Sequence, residues 1–469
     1  MDTNTPGTIE SWLRAFASGA AVPSDAWAAC RQAIDAHDAR INAIPTRVAP
    51  EDLTPRFAAA DARVRAGEPV GVLGGLPYAA KDIFDTAGVR TTSGSPIFAD
   101  RVPTEDAAIV ARFKAAGAVL IGKSNTPEFA AGSQTFNPVL GATRNPHDVS
   151  RTVGGSSGGA AAAIACGMAL VADGSDLAAS LRNPAAFCGV VGLRPSSYLD
   201  PGLQPDPNGF GTLNAVGPLA RGVTDCEIAW RALFRPPAAR PAAGWVDWLD
   251  ALRRDAAEPA TLRLACSVDL GGMPVERAVR DAFARSIDAL RDAGFAVEQA
   301  HPDFDGADEA FQTLRALHFV EWLGELHRTE RARMKDTVVW NIERGLALTV
   351  DEIARANLLR TAVFRRVAAF MRRYDALLLP TAQVLPFGLD VPYPTQVDGA
   401  PLATYIDWLK SCYWITVSAH PALSLPAGTA RPADGGPPLP FGLQLVGRFG
   451  QEPALFRTAR AIEHALAGR

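Results

Sequence analysis

Residues 154–159 read Gly-Gly-Ser-Ser-Gly-Gly and run directly into the small-residue stretch AAAAIACGMAL. Four glycines around two serines make a poor helix or strand interior, because glycine loses the most backbone freedom on ordering and has no side chain to pack. The segment predicts a tight loop whose backbone N–H groups converge on one spot and that opens onto a helix of small residues. A flexible linker has a similar composition, but apolar runs flank this loop on both sides and the segment is not low-complexity.

The surrounding pattern is that of a sheet covered by helices. EDAAIVARFKAAG leads into the apolar run AVLIG within 104–124, and the rhythm recurs at 281–297, where DAFARSIDALRDAG leads into FAVEQ. Helix, glycine, strand is the α/β signature. Residues 1–70 read as helical, with Ser24 placed to cap DAWAACRQAIDAH. The Pro/Ala-rich RPPAARPAAGW (235–245) reads as a connector, and ARPADGGPPLP (430–440) as a surface loop before the strand FGLQLVG. The helix LFRTARAIEHAL (455–466) and the last strands are expected to return to the first sheet. The chain is read as one α/β domain over 1–469.

Two further segments carry chemistry-bearing residues. In VADGSDLAASLRNPAAFCGVVGLRPS (171–196), Ser180 sits among small residues that let backbone amides approach a carbonyl oxygen, as an oxyanion hole requires. In GGLPYAAKDIFDTAGV (74–89), Lys81 follows an apolar stretch, where desolvation can strip its proton and make it a base. Alone, such a lysine is more often a surface or ion-paired residue.

Together these segments resemble the amidase-signature family. Lys81 lies 75 positions before Ser156, and Ser180 lies 24 after it, spacings similar to those of the family's lysine, bridging serine and nucleophile. TPEFAAGSQTFNPVLGATRNPHD (126–148), HPALSLPAG (420–428), LPFGLQLVG (439–447) and, more weakly, YDALLLPTA (374–382) extend the likeness from about residue 70 to the end. The resemblance implies a single domain with a mixed central β-sheet wrapped by α-helices. It divides the chain into a helical part (1–70), a signature core (71–200), a divergent substrate-shaping region (200–415) and a return to the core sheet (416–469).

The resemblance also implies a Ser-Ser-Lys triad of Ser180, Ser156 and Lys81 cleaving a C–N bond through an acyl-enzyme, with a cis peptide bond at Gly155–Ser156. Ser157 would support the lysine, and Asp176 and Arg182 would brace the nucleophile loop. Gly132, Ser133, Gln134 and Phe136 would form a substrate wall. The oxyanion hole would be the N–H groups of Leu177, Ala178, Ala179 and Ser180. Here the sequence departs from the family, whose members usually carry Gly-Gly before the nucleophile. Alanine keeps its amide but resists a positive φ, so a less active enzyme or an engineered loop is compatible with Leu177-Ala178-Ala179.

Bulky or aromatic amides, anilides and aryl carbamates are the expected substrates, because six of the nine tryptophans (245, 248, 322, 340, 408 and 414) lie in the later, divergent part. The rival reading is the glutaminase component of a tRNA-dependent amidotransferase; a catalytically dead binding protein is a third. GAVLIGKS (117–124) matches a phosphate-loop pattern letter for letter, but its middle residues, Ala-Val-Leu-Ile, read as a strand. The seven histidines show no ligand spacing, so no metal and no cofactor are expected, and His147 is read as structural.

Net charge is −4, which argues against nucleic acid or an anionic membrane as partner. The scattered cysteines (30, 166, 188, 226, 266, 412), the absence of a basic N-terminal leader pattern and of an ~18-residue apolar run point to a cytoplasmic protein without a membrane span. With the family resemblance, the expected partner is a small-molecule amide or carbamate, and the expected state is a monomer or homodimer.

Overall fold

A computed structural model describes residues 7–197 and 208–467. The first six residues and the start of the divergent region, 200–207, lie outside the described residues. Within them, the helical N-terminal part forms Ile9–Ser18, Pro23–Ile41 and Pro50–Arg65. Ser24 does not cap. Proline fixes the φ that suits the first helical turn, so the helix starts at Pro23, and Asp25 reaches back to the Val22 N–H. The Ser24 hydroxyl donates instead to Asp61 Oδ2 at 2.7 Å, tying this helix to the next.

An 11-stranded mixed sheet forms the centre. In spatial order its strands are Thr46–Arg47, Val119–Ser124, Pro77–Lys81, Val171–Asp176, Ala215–Ala220, Val191–Arg194, Ala422–Ala430, Leu439–Val446, Ala376–Pro380, Arg263–Cys266 and Ala296–Gln299. Pro77–Lys81 runs parallel to both neighbours, and so does Arg263–Cys266. The pairs between Val171–Asp176 and Ala376–Pro380 are antiparallel. The phosphate-loop look-alike is a strand, as its apolar middle implied. Its Lys123 is buried and donates to Phe84 O and Thr86 Oγ1.

Ala376–Pro380 is ALLLP and buried at every position, as a strand covered on both faces must be. Amphipathic helices do the covering. In Arg277–Asp292 the buried residues Val279, Ala282, Phe283, Ser286, Ile287 and Leu290 recur at three- and four-residue intervals. The apolar interior comprises one cluster drawn from residues 9–252 and another from 179–462. The Pro/Ala-rich connector is tied down rather than free. Val70 and Arg240 exchange backbone hydrogen bonds, and Trp245 is fully buried beside Leu249 in the first cluster. A third, smaller cluster packs Phe129 and Ala131 against Phe319 and Leu323 of the helix Ala307–Glu330 and against Val338 and Ile342 of Asp336–Leu346. It positions the site described next.

Candidate active site

Because Pro77–Lys81 and Val171–Asp176 are parallel neighbours, their C-terminal ends share one edge of the sheet. Parallel strands commonly present ligand-binding groups at that end. Val171–Asp176 is VADGSD, and all six residues are buried, so Asp173, Ser175 and Asp176 must each find partners inside the protein. Asp173 accepts the Lys81 backbone N–H at 2.6 Å and the Tyr78 hydroxyl. Ser175 and Asp176 take their partners from Lys81 and Arg182.

The fully buried Lys81 Nζ lies 2.7 Å from Ser156 Oγ, 3.0 Å from Ser157 Oγ and 3.0 Å from Ser175 Oγ. Burial lowers its pKa from the usual lysine range to about 7, with Asp173 and Asp176 pulling the other way. The Asp173 carboxyl is in turn raised by burial, against the Tyr78 hydroxyl and the Lys81 amide that favour its anion.

The Gly/Ser loop joins the strand Asp148–Thr152 to the helix Gly158–Ala165. The Gly155–Ser156 peptide is cis. Its carbonyl, Gly155 O, accepts the Ser133 hydroxyl at 2.6 Å, and Ser133 accepts from Asn183 Nδ2 at 2.6 Å. Glycine is required nearby at Gly174, where a Cβ would collide with Ser157 Oγ. Ser157 N–H donates to Ser180 O at 3.1 Å, so the two serine-bearing segments are stitched together.

Asp176 is the hub behind Ser180. It accepts Leu181 N–H at 3.1 Å and pairs with Arg182 through Nε and Nη2, each at 2.9 Å. Both side chains are fully buried. Burial alone would raise the Asp176 carboxyl, but Arg182 and Arg194 hold it below the ordinary range. Arg182 also donates to Cys412 O, Gln444 Oε1 and Thr416 Oγ1, and to Ala178 O at 3.0 Å. A trans peptide points its C=O and N–H in opposite directions, so this last bond turns the Ala179 N–H away from Arg182. None of Leu177, Ala178, Ala179 or Ser180 lies in the left-handed region, so the alanines replace glycine without a positive φ.

Ser156, Ser175 and Ser180 open onto one cavity. Leu177, Ala178, Gly132 and Ser133 also line it, whereas Ala179 is fully buried. Gln134 and Phe136 face a neighbouring cavity with Lys335, Tyr405 and Trp408, which shares only Gly132 and Ser133 with the first. Gln134 donates to Leu389 O at 3.0 Å, and its Oε1 is buried without a partner.

Of the six later tryptophans, Trp322 alone reaches the serine cavity. Trp408 lines the neighbouring one, Trp245 is core, and Trp340 is 45% exposed. Sequence reasoning missed most of the apolar wall, formed by Phe129, Phe319, Trp322, Ile406 and Leu409, which comes from three distant stretches of chain. It also missed Asp173 and Ser175. Their signal was there, as polar residues inside a segment patterned as a buried strand. His147 Nε2 meets Cys188 O at 3.0 Å, a structural contact. Among the described residues, no group of three His, Cys, Asp or Glu side chains could hold a metal, and no helix is long and apolar enough to cross a membrane.

The mixed sheet thus carries a buried lysine among serine hydroxyls at the C-terminal ends of two parallel strands. The family model described as Amidase matches residues 25–456, and the chain belongs to that family, the amidase-signature enzymes, as an amide hydrolase. It is 34% identical to a component of the glutamyl-tRNA(Gln) amidotransferase of Moorella thermoacetica, covering 94% of this chain and 93% of that one. It is 31% identical to an acylamidase of Rhodococcus erythropolis, covering 96% and 95%. The solved structure of a bacterial aryl acylamidase of the amidase-signature family superposes with a TM-score of 0.83 at 26% identity over the full length of both chains.

Proposed function

We propose that the chain is a serine amidase for aryl or otherwise bulky amides and carbamates, with Ser180 as nucleophile. Neutral Lys81 accepts the proton of Ser156, Ser156 accepts that of Ser180, and Ser180 Oγ attacks the carbonyl carbon. The N–H groups of Leu177, Ala178, Ala179 and Ser180 receive the developing oxyanion. As the C–N bond breaks, the Ser156 hydroxyl delivers its proton to the leaving nitrogen, which cannot depart as an anion, and is reprotonated from Lys81. Water, giving up its proton along the same relay, then attacks the acyl carbon and releases Ser180. Ser157 and Ser175 orient the Lys81 amine, and Asp176 with Arg182 fixes the loop that carries Ser180.

The observation that carries the substrate class is the wall of the Ser180 cavity, where Phe129, Phe319, Trp322, Ile406 and Leu409 offer an aryl group apolar contact. The likeness to acylamidases supports the same reading. The likeness to amidotransferase components favours a second one, glutamine hydrolysis within a complex. The test is kcat/KM for acetanilide-type and aryl-carbamate substrates against acetamide and glutamine. The aryl substrates should win; a glutamine preference would select the second reading.

A further inference from the structure

The wall of the Ser180 cavity is apolar except at a few points, and one of these is a guanidinium. Arg315, on the helix Ala307–Glu330, lines the cavity and is only 4% exposed. A buried cation ordinarily sits beside a carboxylate, because the cost of leaving water is otherwise uncompensated. Arg182 follows that rule with Asp176, and Arg460 with Glu227. Arg315 does not. Among the described residues no carboxylate pairs with it. Its Nη1 donates to Asn341 Oδ1 and its Nη2 to the Tyr405 hydroxyl, both neutral acceptors. The guanidinium carbon also lies over two aromatic rings, 4.9 Å from the centroid of Phe319 and 5.3 Å from that of Tyr405.

These contacts orient the group without neutralising it. Asn341 is itself fixed by donating to the Tyr405 hydroxyl at 2.7 Å, so the guanidinium is held by a preorganised pair. Two neutral acceptors leave three of its five N–H groups, in a fork that matches a carboxylate's two oxygens. Among the described residues the guanidinium is thus left without a counter-ion.

We propose that Arg315 is a specificity-determining residue that binds a carboxylate carried by the substrate, so that the enzyme acts on anionic aryl amides in preference to neutral ones. This rests on the reading of the Ser180 cavity as the substrate site. The carboxylate belongs either to the acyl part or to the leaving aniline, and two compound pairs separate these. Succinanilic acid with its methyl ester places it on the acyl side, and 4-acetamidobenzoate with its methyl ester on the leaving group.

The test is calorimetric binding of all four compounds to the Ser180→Ala protein, alone and combined with Arg315→Met or Arg315→Lys. Thermal unfolding checks that each variant is folded. In at least one pair the acid should bind about 10- to 100-fold more tightly than its ester, the range of a charged hydrogen-bonded contact. Arg315→Met should bring that ratio close to one, and Arg315→Lys should recover part of it. Because each ester reports general damage to the cavity, the ratio isolates the charge. Equal binding of acid and ester in both pairs, or a preference that survives Arg315→Met, would overturn the proposal. Turnover by the protein with Ser180 intact is read alongside. Anilide hydrolysis with no preference for the acid removes the role of Arg315 and leaves the serine amidase standing. Acid-selective binding with no anilide hydrolysed does the reverse.

Discussion

Asp173 accepts the backbone N–H of Lys81 at 2.6 Å, placing a buried carboxyl next to the lysine whose amine meets three serine hydroxyls. The geometry sets two opposed effects on that amine. Burial drives its proton off, and the nearby acid holds the proton on, with burial winning to leave a pKa of about 7. If the neutral amine is the base, kcat/KM should fall as pH drops through about 7. Asp173→Asn removes a negative charge that stabilises the ammonium form. The acid limb of the profile should then move to lower pH, while an Asp173 with only a packing role would lower activity without moving the limb.

Replacing the base itself should be far more damaging. Lys81→Ala is expected to slow acylation by about 10²–10⁴-fold, the usual contribution of positioned proton transfer. Single-turnover measurement on a folded variant is the readout. Near-normal acylation would take lysine out of the mechanism.

The Arg182–Asp176 pair should govern stability as well as activity. Both groups are fully buried, so Arg182→Leu leaves Asp176 with Arg194 as its nearest cation at 3.8 Å and releases the Ala178 carbonyl. Breaking a buried pair from one side costs about 3–5 kcal/mol. Denaturant unfolding should show a loss on that scale, and kcat should fall because the loop bearing Ser180 is no longer clamped.

Gly174→Ala tests the lysine cradle from another direction. The new methyl would meet Ser157 Oγ, the group 3.0 Å from the Lys81 amine. A fall in kcat with KM little altered is expected, since the change lies behind the cavity rather than in its wall. A KM effect alone would contradict this.

Local features of the sequence carried much of the fold and of the site. The Gly/Ser loop, the helix Arg277–Asp292 and the strand ending at Ser124 announce themselves because their cause is local, in glycine content or in apolar period. Strand order has no such local cause. Ala422–Ala430 and Leu439–Val446 enter between strands that precede them by hundreds of residues or by dozens, and pairing over such distances leaves no local mark. The cavity wall was hidden for the same reason. Phe129, Phe319 and Ile406 look like ordinary core residues until the fold gathers them. Ser24 misled because a proline one position earlier starts the helix before it. Asp173 and Ser175 were in plain view, but their meaning depends on the parallel neighbour that brings Lys81 alongside.

In the proposed mechanism Ser180, and not Ser156, forms the covalent intermediate. Treatment with an aryl fluorophosphonate, followed by peptide mass spectrometry, tests it most directly. One phosphonyl group should be found on Ser180, and labelling should be lost in Ser180→Ala and strongly slowed in Lys81→Ala. An adduct on Ser156 or Ser157, or labelling that persists in Ser180→Ala, would contradict the account.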